Sequence, residues 1–158
     1  MPTAGAMAVL AGAVIIVRLL RWQLWRCRAR PDLIGLGVGY AWLGIGVGMF
    51  GIAIATGWHV TSALHVITIG ALGTLTSGIM SRTHYQRLRR KPPPAALVAW
   101  MLATITIAAL SRVAATFVSS ENSIPLLWCA ATAWALCFGV LAWLFTAQIY
   151  RDWQTGLQ

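Results

Sequence analysis

Five long apolar stretches, at about residues 3–20, 33–56, 58–81, 95–118 and 124–150, constrain this chain more than anything else in it. A helix that crosses a bilayer needs about 20 predominantly apolar residues. Four of the five stretches exceed that, and the first is the shortest. Hydrocarbon offers the backbone no hydrogen bonds, so a spanning segment must satisfy its own N–H and C=O groups, which an α-helix does. The predicted fold is all-α: one domain over residues 1–158, an integral membrane bundle of about five transmembrane helices.

Composition agrees. Charged residues make up 9% of the chain, against roughly a quarter in a soluble domain. The chain is 59% hydrophobic, and in water too few polar groups would remain to cover it. Twelve Lys and Arg against three acids give a net charge of +9. Such a balance can mark a nucleic-acid binder. Here the cations flank apolar segments rather than line a soluble face, so no nucleic acid is expected and the bilayer is the first partner.

The loops alternate in character. Arg18, Arg21, Arg26, Arg28 and Arg30 follow the first stretch. Arg82, Arg87, Arg89, Arg90 and Lys91 follow the third, before Pro92, Pro93 and Pro94 stop any helix. The turn around Gly57 carries no charge, and the loop before the fifth stretch carries only Glu121. With Arg151, eleven of the twelve cations fall on one side. Short basic loops stay cytoplasmic, which predicts the N-terminus outside and the C-terminus in the cytoplasm. The absence of a basic segment before the first stretch predicts an uncleaved helix rather than a signal peptide. Trp22, Trp25 and Trp153 then mark the inner interface, Trp58 and Trp128 the outer one.

Glycines 35, 37, 39, 44, 46, 48 and 51 crowd the second stretch, with Gly37, Gly44, Gly48 and Gly51 on one stripe. Gly70, Thr74 and Gly78 repeat the small-residue spacing in the third. Such stripes let helix backbones approach closely, within one chain or between copies. Cys27, Cys129 and Cys137 show no metal-binding spacing. Cys129 and Cys137 stand about 12 Å apart along one helix, too far for a disulfide.

Two polar residues fall at one depth. His65 lies roughly 10 Å in from the outer end of the third stretch, and Arg112 roughly 9 Å in from the outer end of the fourth. Ionisable groups in hydrocarbon are costly and face a partner or a ligand. Asp32, Glu121 and Asp152 are not at this level. In one reading an anionic ligand lies between the helices: haem, with His65 on its iron and Arg112 against its propionates. In the other, His65 hydrogen-bonds a neighbouring helix and Arg112 snorkels to the surface.

Other candidates stand around this pair. Met49 lies at a similar level on the second helix and could be a second haem ligand, or could fill a gap in the core. His59 is a second candidate metal ligand. Six residues from His65, it points about 120° away on a regular helix, so the two cannot chelate one ion from one face. His84 lies roughly 28 Å from His65, in the basic inner loop. Paired carboxylates, GxSxG, Walker and HExxH signatures are missing, so no catalytic residue is assigned.

Three stretches carry a family resemblance. The first runs from Arg18, Leu19, Leu20, Arg21, Trp22, Trp25 and Arg26 to Gly39, Tyr40, Ala41, Trp42 and Leu43. The second is Ala63, Leu64 and His65, then Thr68, Ile69, Gly70, Ala71, Leu72 and Gly73, ending in Met80, Ser81 and Arg82. The third is Leu110, Ser111, Arg112 and Val113. Together these resemble the NnrS family, bacterial membrane proteins associated with the response to nitric oxide and described as containing haem and copper. Full-length members are far longer, so the likeness is to their C-terminal part. Members typically carry a Gly-His-Thr-Gly-Arg stretch just after the arginine matched by Arg82. Here Arg87 stands where that histidine would be.

The resemblance implies a multi-pass protein of the bacterial inner membrane acting in respiration or nitric oxide defence. It implies haem b, with His65, Arg82 and Arg112 as the positions carried over, and copper by resemblance alone. Its partners would be further copies of the chain or a larger respiratory complex. The alternative is a cofactor-free structural subunit packed against such an oxidase or reductase.

Overall fold

The computed structural model describes residues 2–27, 29–89 and 91–156. Arg28 and Arg90, two of the cations used to orient the chain, lie outside the described residues. So does the side chain of Asp152. The described residues form α-helices with short turns and no strand: α1 (Pro2–Arg21), α2 (Pro31–Thr56), α3 (Val60–His65), a π-helical segment (Val66–Leu72), α4 (Gly73–Arg89), α5 (Ala95–Ala114) and α6 (Ser120–Gly156). A 3₁₀ turn over Leu24–Cys27 precedes α2. α3, the π segment and α4 run on as one rod, so five helices are long and apolar enough to cross a membrane.

Helix ends follow local chemistry. Pro31 begins α2, where its missing N–H costs nothing. α2 ends at Gly57, whose φ of 73° and N–H bond to the Ala53 carbonyl form a left-handed cap that a side chain would strain. α4 runs to Arg89, eight residues past the apolar stretch, because nothing before the prolines interrupts it. Pro94 then caps α5. α6 is 37 residues long and starts one turn before Pro125.

Neighbours in sequence are neighbours in space: α1 packs on α2, α2 on the third rod, that rod on α5, and α5 on α6. The glycine stripe of α2 is consumed inside the chain. A Cβ on Gly51 would lie 2.6 Å from the Gly5 carbonyl oxygen, and one on Gly12 would lie 2.7 Å from the Gly48 nitrogen. Only glycine at these crossings lets α1 and α2 meet backbone to backbone. Gly70 serves the same end beneath the Trp42 indole, 2.9 Å from where its Cβ would stand.

A buried apolar cluster joins α5 to α6 through Met101, Ile105, Cys137 and Leu141. Outward, Leu10, Val14 and Val17 of α1 and Trp128, Trp134 and Trp143 of α6 are exposed. A surface this apolar needs lipid or protein over it. At the basic end the Asp32 carboxylate takes a two-pronged hydrogen bond from Arg30, at 3.1 Å on each oxygen, and lies 3.6 Å from Arg82 Nε. That bridge ties the start of α2 to α4.

A histidine–arginine pair beside an apolar groove

α3 and the end of α5 run antiparallel and are joined by two polar rungs about one helical turn apart. In the first, Ser62 and Thr116 hydroxyls lie 2.7 Å apart. Thr116 also donates to the Val113 carbonyl, which leaves Ser62 as the donor between the helices. In the second, Arg112 Nε donates to His65 Nε2 at 3.2 Å. An acceptor nitrogen cannot carry a proton, so this imidazole is neutral and holds its proton on Nδ1.

The local fold explains why the two meet. Gly73, eight residues after His65, faces Ile105, which is seven residues before Arg112. In a regular α-helix eight residues overshoot two turns by about 80°, whereas seven fall only about 20° short. The π segment widens the turn and absorbs the extra residue, so His65 and Gly73 both address α5. Its sequence, Val66 to Leu72, gives no strong sign of the irregularity, and π segments recur at functional sites.

Arg112 also walls an open groove of about 460 Å³ between the π segment, α5 and α6. Thr68, Ile69, Leu127, Ala130, Ala131 and Trp134 complete its lining, which is apolar apart from Thr68 and the guanidinium. The volume lies within the range of small-molecule and cofactor sites. Among the described residues, nothing but His65 hydrogen-bonds to the Arg112 guanidinium. The guanidinium thus has donors left for an anion.

His59 precedes α3, off the helix, with its ring 5.6 Å from those of both Trp58 and Phe117. Met49 is half-buried on α2. Among the described residues no hydrogen bond links either to the His65–Arg112 pair. His84 stacks edge-on against Phe145, 4.8 Å away, towards the basic end. Cys137 is buried between α5 and α6, and Cys129 accepts a long hydrogen bond from Ser111.

Haem and copper can be weighed against these residues. The pair and groove together offer an imidazole, a guanidinium and an apolar wall with one indole, the chemistry haem requires of its iron ligand, propionates and ring. These residues fit haem. Copper has less to draw on: among the described residues, no three His, Cys, Asp or Glu side chains come together. The basic bridge of Asp32 and Arg82 was not foreseen as an interaction, though Arg82 lies in one of the family-like stretches.

No curated protein and no solved structure matches the chain significantly. The family model described as NnrS protein matches residues 1–152 of the 158, and with five helices long and apolar enough to cross a membrane the chain belongs to the NnrS family as a multi-pass membrane protein.

Proposed function

We propose that this chain is a haem-binding membrane protein of the nitric oxide response or of respiration, with a b-type haem held between His65 and the groove beside Arg112. The observation that carries the reading is that Arg112 belongs to both places. It hydrogen-bonds His65 and lines an apolar groove of about 460 Å³. Within the bilayer an imidazole and a guanidinium are expensive to keep, and a ligand that uses both offsets that cost.

In this reading His65 is the iron ligand, Arg112 the counter-charge for a propionate, and Trp134 part of the apolar bed. Nε2 of His65 has one lone pair, so an iron there competes with the Arg112 hydrogen bond. Losing that bond frees Nε as well as the terminal nitrogens of Arg112 for a carboxylate. Bound haem supplies an iron that takes up small diatomic gases and exchanges one electron. Met49, on α2 and with no hydrogen bond to the pair, would be a second iron ligand in this reading or a packing residue of the core. The cytoplasmic placement of the basic end and the inner-membrane location belong to this reading.

A cofactor-free subunit of a larger respiratory complex is the second reading. The same hydrogen bond favours it, because His65 and Arg112 satisfy each other directly. Gly44 and Gly51 of α2 are spent on α1, and Gly39 and Gly46 on the third rod, so such a subunit would dock through other surfaces.

Optical spectroscopy of the purified protein separates the two. Haem binding predicts a Soret band in the wild type that weakens in His65→Ala. A folded, intact preparation with no haem absorbance, even after expression with added haem, would sink the haem reading and leave the structural subunit.

A further inference from the structure

A second groove opens near the basic end, between α4 and α6, far along the chain from the His65–Arg112 pair. It encloses about 200 Å³ and is lined by Thr83, His84, Arg87, Phe145, Gln148 and Ile149. The lining is mixed. Arg87 and Thr83 bring hydrogen-bond donors to it, and Phe145 and the exposed Ile149 bring hydrocarbon.

Its position matters as much as its lining. Thr83 to Arg87 follow directly on the apolar stretch that ends near residue 81, and Phe145 to Ile149 close the one that ends near residue 150, so the groove lies where the apolar stretches give way to the basic end. Residues 81–91 hold five cations and no acid, and Arg151 follows on α6 with Asp152 as its one acidic neighbour. Two exposed rings, Tyr150 and Trp153, follow Ile149 on α6, and aromatic side chains of this kind anchor to a membrane interface.

We propose that this groove seats the phosphate headgroup of an anionic phospholipid. Arg87 takes the phosphate charge, Thr83 hydrogen-bonds one of its oxygens, and an acyl chain runs along Phe145 and Ile149. Basic pockets between membrane helices suit such headgroups. A guanidinium fits phosphate better than an ammonium would, because its donors match two oxygens at once. Free inorganic phosphate could use Arg87 and Thr83. It has nothing to place against Phe145 and Ile149, and those two residues are what select a lipid.

Native mass spectrometry of the full chain, exchanged into equal phosphatidylglycerol and phosphatidylcholine, tests this. Wild type should retain phosphatidylglycerol preferentially. Arg87→Gln, with unchanged helicity and elution volume, should lower that preference about fivefold, the value of one cation near a charged surface. Arg26→Gln, an equal charge loss elsewhere at the basic end, should leave it intact. Equal loss in both variants, no loss in Arg87→Gln, or displacement of the lipid by millimolar inorganic phosphate would each overturn the proposal.

Discussion

Asp32 Oδ2 lies 3.6 Å from Arg82 Nε, so the first turn of α2 and the last turns of α4 are held together by a carboxylate whose side chain is 1% exposed. Arg30 grips the same carboxylate from the loop before α2. An acid in the first turn of a helix also complements the positive end of the helix dipole.

Replacing that carboxylate exposes its structural role. Asp32→Asn keeps the shape and removes the charge that both arginines address. Because the arginines are partly solvated, a loss of about 1–2 kcal/mol is expected, below that of a fully buried pair. Urea or dodecyl sulfate unfolding in mixed micelles measures it, and Arg30→Gln alone should cost less.

At the α1–α2 crossing, bulk is the sensitive variable. Gly51→Val places a branched side chain where even a Cβ would stand 2.6 Å from the Gly5 carbonyl oxygen. Overpacking of this kind costs about 1–3 kcal/mol. α1 has few other neighbours, so the damage should be local. Limited proteolysis should cut sooner around residues 22–30 while the α5–α6 core stays folded.

Two hydroxyls in the third rod should respond in opposite directions. Ser62→Ala deletes the donor to Thr116 and should lower stability by about 1 kcal/mol. Thr74 Oγ1 is buried and, among the described residues, hydrogen-bonds to nothing. Thr74→Val removes that polar atom at nearly constant volume and should be neutral or stabilising by about 1 kcal/mol. Paired unfolding curves decide it, and a marked loss in Thr74→Val would mean the hydroxyl has a partner such as an internal water.

The turn between α2 and α3 offers a backbone test. Gly57→Ala leaves all packing intact, since a Cβ there meets nothing within 4 Å, but forces a side chain into the left-handed region. The expected cost is roughly 1–2 kcal/mol. A Gly57→Asn variant should recover part of it, because asparagine tolerates that conformation.

Much of this fold could be read from the residues. Five apolar stretches became five spanning helices because, in lipid, apolar length and backbone satisfaction leave few alternatives. The common depth of His65 and Arg112 followed from residue counts along two helices, and the structure places the side chains in contact. Rotational phase was harder. The stripe of Gly44, Gly48 and Gly51 announced close packing without naming its partner, which is α1, since small residues say how near a neighbour comes and not which one. The reach of α4 to Arg89 was hidden because charged residues propagate a helix as readily as apolar ones once it has left the hydrocarbon.

The segment from Val66 to Leu72 has a consequence for anyone placing substitutions on this rod. A helical wheel drawn with a single pitch will rotate everything after Gly73 onto the wrong neighbour, sending residues meant for α5 round towards α2 or lipid. Residues on either side of the wide turn keep separate angular clocks. Deleting one amino acid inside it should bring them back into phase, at the expense of whichever half gives way.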